Sequence, residues 1–262
     1  MDGEVDVSVP AGLLADPARA RLLMALTDGR SLPASVLASE AGVSASTTSE
    51  HLAKLLAAGM LEVRAQGRNR YYRIADPRVV QAIEALAQLA SRTPIRSLQQ
   101  GTRAEAVRRS RLCYDHLAGR LGVALMAALI RTGAISGGDG HHHPDLAGSD
   151  RLSAPGHDVD YRLTEAGSDL MTRFGIDLDA LAARRRPLVR YCMDWTEQRH
   201  HLAGSLGAAV TGRMLELGWL QPMSIPRAVR LTPAGRDGIA KRLGVVVDEE
   251  QSTRPGRRPV PA

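Results

Sequence analysis

Two cysteines, each with histidine and aspartate nearby, form the feature of the sequence best suited to chemistry. Asp115 and Asp194 each follow a cysteine by two residues, and His116 follows Cys113 by three. A spacing of three predicts that Cys113 and His116 lie on one face of a helix. Thiolate, imidazole and carboxylate groups are the ligands preferred by soft ions such as zinc, cadmium or lead. The cysteines are therefore candidate metal ligands.

The two cysteines occupy equivalent places in a duplicated pattern. Arg-x-Cys-x-Asp, followed by His-Leu-Ala-Gly-x-Leu-Gly, occurs within residues 111–122 and again within residues 190–207, where six residues are inserted. An Arg-Leu-Thr-x-Ala-Gly segment recurs later in each copy. Several pieces repeated in one order indicate a duplication. We predict two copies, residues 111–183 and 184–247, each a degenerate winged-helix-like unit.

Pseudo-twofold packing of the two copies would bring their cysteines together. The residues available would then complete a four-coordinate site, which is common for zinc. Two other roles remain open: the cysteines are small buried side chains beside polar residues that cap helices, or they form a thiol redox switch. The predicted metal ligands are Cys113, His116, Cys192 and His201, with His200 as the alternative to His201.

The beginning of the chain carries the signals of a helix-turn-helix. Asp16 followed by Pro17 predicts the start of a helix. Helices are also predicted for residues 33–41 and 44–58, and the tight turn Gly42-Val43 joins them. The second of these two helices is in the position of a recognition helix.

The predicted recognition helix and the segment after it supply a surface for DNA. The helix has an apolar stripe that must face the core, so its polar side and positive N-terminus can meet phosphates and base edges. Alternating residues then predict a two-stranded wing, and residues 61–75 hold four arginines and one acid. The predicted DNA-binding residues are Ala45, Ser46, Thr47, Ser49, His51, Lys54, Arg68 and Arg70.

A further helix is predicted after the wing, beginning at Asp76-Pro77. Its apolar residues suit a seam between two copies of the chain. These residues are Val79, Val80, Ile83, Leu86, Ala87 and Leu89.

Four motifs in the first third of the chain occur together in one order: Leu13 to Arg19, Ala41 to Leu52, Gly59 to Glu62 and Arg68 to Arg73. With these motifs, residues 10–90 resemble the ArsR/SmtB family of winged-helix repressors. The resemblance implies a homodimer on a palindromic operator, released by a metal ion or another small effector. The sequence departs from the family in two places: residues 44–56 lack the common Cys-x-Cys-type signature, and Glu50 stands where Arg or Gln is more usual.

The predicted fold class is mainly α with small β wings, an α+β fold. Residues 10–90 form the winged-helix DNA-binding and dimerisation domain, and residues 91–110 form a basic linker or helix. A loop at 136–157 contains His141 to His143, for which a plain loop is favoured over a metal site because ligands need neighbours that hold them in place. The tail, residues 248–262, is predicted to be disordered and basic.

Composition excludes several classes of protein. With 262 residues, 44% hydrophobic and 24% charged, the chain has room for two ordinary domains and is neither fibrous nor wholly disordered. Its net charge of +6 favours anionic partners only weakly. Two cysteines are too few for a disulfide scaffold, and an acidic beginning without a long apolar run predicts a cytoplasmic protein with no membrane partner.

The predicted function is a sequence-specific regulator of transcription that binds double-stranded DNA, as a dimeric repressor released by a metal ion, another small effector or thiol oxidation. One alternative is an adaptor made of tandem winged helices. A thiol enzyme is the other, but Cys113, Asp115 and His116 within one helical turn do not line up around a substrate. The sequence also lacks a phosphate loop, a Rossmann fingerprint and His-Glu-x-x-His, so we predict no enzyme.

Overall fold

The chain folds around two hydrophobic cores. One core is built mainly from residues 13–83, and the other from residues 112–247. We call residues 4–90 the N-terminal unit and residues 111–247 the C-terminal unit. The computed structural model describes residues 4–66, 69–90, 97–141 and 159–247.

The N-terminal unit is a winged helix-turn-helix, as predicted. Its sheet has the antiparallel order β1-β3-β2, in which β2 and β3 form the wing. The elements are α1 (Ser8–Ala15), α2 (Pro17–Leu26), β1 (Leu32–Pro33), α3 (Ala34–Ala41), α4 (Ala45–Ala57), β2 (Leu61–Gln66), β3 (Asn69–Ile74) and α5 (Pro77–Leu89).

Local capping signals set the starts of these helices. The Asp16 carboxylate accepts hydrogen bonds from the first turn of α2, and the Ser44 hydroxyl accepts one from the backbone N–H of Thr47 in α4. Between α3 and α4, Gly42 has a φ of +66°, a conformation that favours glycine. These features hold the turn of the helix-turn-helix in place.

The outer helices differ in part from the sequence prediction. Helix α1 was not predicted, and it contains no buried residue. In α5, Val80 and Ile83 pack into the N-terminal core, so their assignment to a dimer seam is wrong. Leu86 and Leu89 remain exposed on α5, at 50% and 85%.

The C-terminal unit contains one order of elements twice: hairpin, long helix, hairpin, helix. The predicted helix that holds Cys113 and His116 is wrong, because a β-hairpin stands there, as it does at the equivalent place of the second copy. The first series is β4 (Arg111–Cys113), β5 (His116–Ala118), α7 (Gly119–Arg131), β6 (Ile135–Ser136), β7 (Arg162–Leu163) and α8 (Glu165–Phe174), followed by α9 (Leu178–Ala182). The second series is β8 (Arg190–Asp194), β9 (Arg199–Ala203), α10 (Gly204–Glu216), β10 (Leu220–Pro222), β11 (Val229–Leu231) and α11 (Pro233–Leu243).

The two units are joined by α6 (Leu98–Arg109) and by buried polar contacts. The Arg227 guanidinium pairs with the Glu84 carboxylate of α5, and the Arg227 backbone N–H donates to Asp28 at 3.1 Å. The backbone N–H of Tyr114, in the turn between β4 and β5, donates to the Thr27 carbonyl at 2.6 Å. The first hairpin of the C-terminal unit therefore rests directly on the end of α2.

Some predicted features lie outside the described residues. They are Arg68 at the tip of the wing, His142 and His143 with most of the predicted loop, and the predicted tail from residue 248. Within the described ranges, the helices are too short or too polar to cross a membrane.

Candidate DNA-binding surface and cysteine-histidine site

The N-terminal half of α4 presents small polar side chains to solvent. Ala45, Ser46 and Ser49 are exposed, and Thr47 is half-buried. Lys54, one to two turns further along, is also exposed. The hydroxyls of Ser46, Thr47 and Ser49 make only local hydrogen bonds, such as the one from Ser49 Oγ to the Ala45 carbonyl at 2.9 Å. These hydroxyls therefore retain the capacity to bond further partners. The structure thus places these five predicted residues at an accessible surface of the helix.

His51 does not share that surface. Its side chain is only 13% exposed, its Nε2 lies 3.8 Å from Asp16, and its Nδ1 lies 3.5 Å from the Arg19 guanidinium. The prediction that His51 belongs to the open side of α4 is therefore corrected. The residue contacts the start of α2, because its position along α4 turns the ring toward that helix.

The wing carries exposed arginines beside the recognition helix. Arg70 is exposed on β3, and Arg64, which the prediction omitted, is exposed on β2. Arg73 is instead paired with Glu62 across the strands. In the antiparallel register Arg64 lies opposite Tyr71 and Arg73 opposite Glu62, which places Arg64 and Arg73 on one face of the wing. Arg70, opposite Ala65, lies on the other face.

Each hairpin of the C-terminal unit sets one cysteine opposite one histidine. Cys113 of β4 pairs in register with His116 of β5, and Cys192 of β8 pairs with His201 of β9. Side chains directly opposite in an antiparallel pair have Cβ atoms about 5 Å apart. The spacing of three between Cys113 and His116 thus reflects a two-residue turn, and their predicted place on one helical face is wrong.

The two hairpins meet, and their cysteine and histidine side chains converge. One ligand atom from each residue can be chosen so that all four lie within 4.8 Å of one another. The two imidazole rings stack with centroids 5.1 Å apart. Cys113 and both histidines are buried, while Cys192 is half-buried. We call Cys113, His116, Cys192 and His201 the cysteine-histidine cluster.

Two glycines allow the hairpins to approach the long helices. A Cβ on Gly122 of α7 would lie 2.4 Å from the Leu117 carbonyl, and one on Gly207 of α10 would lie 2.6 Å from the Leu202 carbonyl. The His201 and His116 side chains lie over these two glycines, respectively. The second glycine of His-Leu-Ala-Gly-x-Leu-Gly therefore has a steric role in both copies.

The structure separates the two candidate histidines of the second hairpin. Neighbouring residues of a strand point to opposite faces, so only one of them can face Cys192. His201 does so, whereas the His200 Nδ1 lies 2.8 Å from the Tyr161 hydroxyl and its ring packs on Tyr191. His200 is thus part of the polar packing of the core.

Carboxylates stand behind both histidines of the cluster. Asp115 lies 3.2 Å from the Nδ1 of His116 and also pairs with Arg186. Burial opposes ionisation of Asp115, but His116 and Arg186 outweigh it and lower its pKa to about 2. Because Nδ1 of His116 faces this carboxylate, its Nε2 is the nitrogen left for a ligand.

Asp194 stands behind His201 in the fully buried part of the unit. It lies 3.8 Å from the His201 ring and pairs with Arg111 at 3.0 Å, and both members of this ion pair are 0% exposed. Backbone N–H groups of Gly119 and Thr196 also donate to it. Burial disfavours its charge, yet Arg111 and His201 outweigh burial and lower its pKa to about 2.

Two members of the cluster, Cys113 and His116, hold protons at neutral pH. A hydrogen bond with Cys192, together with burial, raises the pKa of the Cys113 thiol to about 12. For His116, burial lowers the pKa, but the nearby Cys113 sulfur and Asp115 outweigh it and raise the pKa to about 9. A metal ion would therefore have to displace protons from these side chains.

The cluster fits a tetrahedral ion of the zinc type. With ordinary metal–sulfur and metal–nitrogen bonds, donor atoms lie about 3.3 to 3.8 Å apart, so a contraction of about 1 Å would close the present arrangement. The Nε2 of His116 and both ring nitrogens of His201 are buried without a hydrogen-bond partner among the described residues. Two thiolates would balance a divalent charge. Geometry, unsatisfied nitrogens and charge all suit such an ion.

A helix-turn-helix with an arginine-bearing wing defines a winged-helix DNA-binding protein. The chain belongs to the HTH-type transcriptional regulators. The family described as "Helix-turn-helix domain" matches residues 14–64. The regulator YdfF of Bacillus subtilis (strain 168) is 35% identical over 237 residues, which are 90% of this chain and 96% of that protein.

Two other known proteins are similar to the N-terminal unit. The HTH-type transcriptional regulator CmtR of Mycobacterium tuberculosis is 38% identical over 76 residues, 29% of this chain and 64% of that protein. The homodimeric winged helix-turn-helix domain of Mb0332 from Mycobacterium bovis is 29% identical, with a TM-score of 0.29, and the match covers 34% of this chain and 88% of that domain. The similarity to YdfF extends further, through the C-terminal unit as well.

Proposed function

We propose that this regulator is a dimeric repressor whose C-terminal unit senses a soft divalent metal ion at the cysteine-histidine cluster. The observation that supports the sensing role is the convergence of four ligand atoms within 4.8 Å from two separate hairpins. Soft ions such as zinc, cadmium or lead are the candidate effectors, since thiolate and imidazole ligands suit them. When bound, the ion would supply a charged cross-link between β4–β5 and β8–β9.

The proposed DNA surface combines α4 with the wing. Exposed hydroxyls on α4 can hydrogen-bond phosphates and base edges at the positive end of the helix. Arg64 on one face of the wing and Arg70 on the other extend the surface, and their guanidinium groups can contact the phosphate backbone. His51 is left out of the proposed surface because it is turned toward α2.

We propose that metal binding at the cluster changes the DNA surface through the turn between β4 and β5. Tyr114 lies between two cluster residues, Cys113 and His116, and its backbone N–H donates to Thr27 at the end of α2. Helix α2 packs against α4. A change in the separation of Cys113 and His116 would therefore move the support of the recognition helix.

Dimerisation is proposed through the exposed apolar residues of α1 and α5. Val7 before α1 and Val9 within it are 69% and 63% exposed, and Leu86 and Leu89 of α5 are exposed as well. Large exposed apolar side chains are candidates for an interaction site. A symmetric dimer would bury them and present two recognition helices to a palindromic operator.

DNA binding is tested by fluorescence anisotropy with a duplex selected from a random pool. Arg64→Ala and Arg70→Ala should each weaken binding to all sequences and lower the slope of log affinity against log salt by about one. Ser46→Ala should instead change the preference among sequences. Arg162→Ala, an exposed arginine in the C-terminal unit, is the matched control. Unchanged affinity in both wing variants would refute the proposed surface.

Metal sensing is tested on untagged protein purified without oxygen. One cadmium ion should bind per chain and release the duplex, and Cys113→Ser and Cys192→Ser should each lose this response. His200→Gln is the matched control, because His200 faces the core. Release by peroxide without metal, lost in both cysteine variants, would instead show a thiol switch. Full cadmium response in both serine variants would assign the cysteines to packing.

A further inference from the structure

A cavity lies between the two units, beside the cysteine-histidine cluster. Its volume is about 910 Å³, with one wall from α5 and the other from the turn after β4, from β8 and from the start of α10. Pockets for small organic molecules span about 300 to 1,000 Å³ and often occur between domains. A single metal ion would leave almost all of this volume empty.

The wall of the cavity is largely apolar. Val80 and Ala85 of α5 line the cavity together with Tyr191 and Met193 of β8. Val80, Tyr191 and Met193 are each almost fully buried, so they are held in fixed positions. A preformed wall of this kind binds an apolar body without first having to order its own side chains.

One polar group in this wall lacks a partner. Glu84 lines the cavity and is 2% exposed, and its Oε1 accepts a hydrogen bond from Arg227. Its Oε2 is buried and has no hydrogen-bond partner within the described part of the chain. A buried carboxylate oxygen without a donor is unfavourable, and a ligand that brings a donor relieves this.

We propose that this cavity binds a small organic effector with an apolar body and one N–H or O–H donor, which hydrogen-bonds to Glu84. The ligand would touch α5 of the N-terminal unit and β8 of the C-terminal unit together. Binding would therefore depend on how the two units are held against each other. The site is separate in chemistry from the proposed metal site, although Cys113, His116 and Cys192 form part of its wall.

The test uses a fluorescent probe with these properties. N-phenyl-1-naphthylamine has two aromatic ring systems and one N–H, and its N-methyl derivative has the same body without the donor. The full-length protein should bind the N–H probe about tenfold more tightly than the N-methyl probe, the ratio expected for one hydrogen bond to a charged group. Equal affinity for the two probes would overturn the role of Glu84.

Two variants locate the bound probe. Ala85→Trp fills the cavity from an exposed position of α5 and should weaken binding of both probes at least about tenfold, whereas Leu89→Trp, on the same helix outside the cavity, should leave both within about twofold. Glu84→Gln should reduce the preference for the N–H probe to about one. Undiminished binding in Ala85→Trp would overturn the proposed site.

A histidine variant separates this proposal from metal sensing. His201→Gln removes a proposed metal ligand that does not line the cavity, so probe affinity should stay within about twofold. Loss of cadmium binding with retained probe binding supports the organic site independently of the metal proposal. Loss of probe binding in folded His201→Gln protein, as judged by circular dichroism, would overturn it.

Discussion

Replacing Asp194 by Asn should strongly destabilise the C-terminal unit. Asp194 and Arg111 are both fully buried, with Nη2 and Oδ2 3.0 Å apart. Removing one member of such a pair leaves the other charge buried without compensation, which costs about 3–5 kcal/mol of the free energy of unfolding. The lowering of the Asp194 pKa from 3.8 to about 2 corresponds to about 2 kcal/mol of the free energy of unfolding. This is the part of the stabilisation that depends on pH.

The sign of the pH dependence follows from the lowered pKa. The folded state binds the proton of Asp194 less readily than the unfolded state, so the stabilisation is fully present above the unfolded pKa and declines as the pH falls toward the folded one. About half of the pH-dependent part should be lost by pH 3. The difference between wild type and Asp194→Asn should therefore shrink over that range.

Urea unfolding followed by tryptophan fluorescence measures this effect, because Trp195 lies against Arg111. Asp160→Asn removes a carboxylate from an exposed pair with Arg162 and should cost at most about 1 kcal/mol at pH 7. A loss of less than about 1 kcal/mol in Asp194→Asn would refute the reasoning from the buried pair.

Three further predictions concern the cluster, the helices and the dimer. Cadmium affinity should rise by up to about tenfold per pH unit, between pH 6 and 8, for each proton that the ion displaces, because the raised pKa of Cys113 keeps its thiol protonated in that range. Calorimetry in two buffers counts the released protons, and an affinity that does not change with pH would contradict this. Gly207→Ala should lower the free energy of unfolding by about 1–3 kcal/mol, since its Cβ would lie 2.6 Å from a carbonyl oxygen. Gly212→Ala is the control: it has open space around it and should be neutral or stabilising. Equal effects of the two substitutions would contradict the steric explanation. The double change Leu86→Glu with Leu89→Glu should dissociate the proposed dimer in light scattering, and a dimer that persists would place the seam elsewhere.

The N-terminal unit could be predicted from local signals because each of its elements begins or ends at a residue with a specific backbone role. Asp16 and Pro17 set the start of α2, and Gly42 supports the turn before α4. Helix α1 escaped prediction, since none of its residues is fully buried and only Leu13 and Leu14 near its end pack against the core. Val80 and Ile83 were assigned to a seam because periodicity shows that a residue is buried without showing against what.

The cysteine-histidine cluster was partly predictable from the duplication. Equivalent positions in the two copies indicated which residues converge, but a spacing of three between Cys113 and His116 suits a helical turn as well as a tight hairpin. The choice between His200 and His201 depends on strand register, which the sequence leaves open and the pairing of Cys192 with His201 decides. The cavity beside Glu84 arises from the packing of the two units and has no local signal.

The two hairpins that build the cluster belong to a single polypeptide. A site shared between identical subunits would form only above the concentration at which they associate, and every substitution in it would appear twice. Here both halves are present at a fixed effective concentration, so occupancy of the site is independent of protein concentration. The halves are also free to diverge: Asp115 is partly open to solvent beside Arg186, whereas Asp194 is sealed beside Arg111. A mutation at one of these carboxylates can therefore change the surroundings of one histidine of the cluster and leave those of the other as they are.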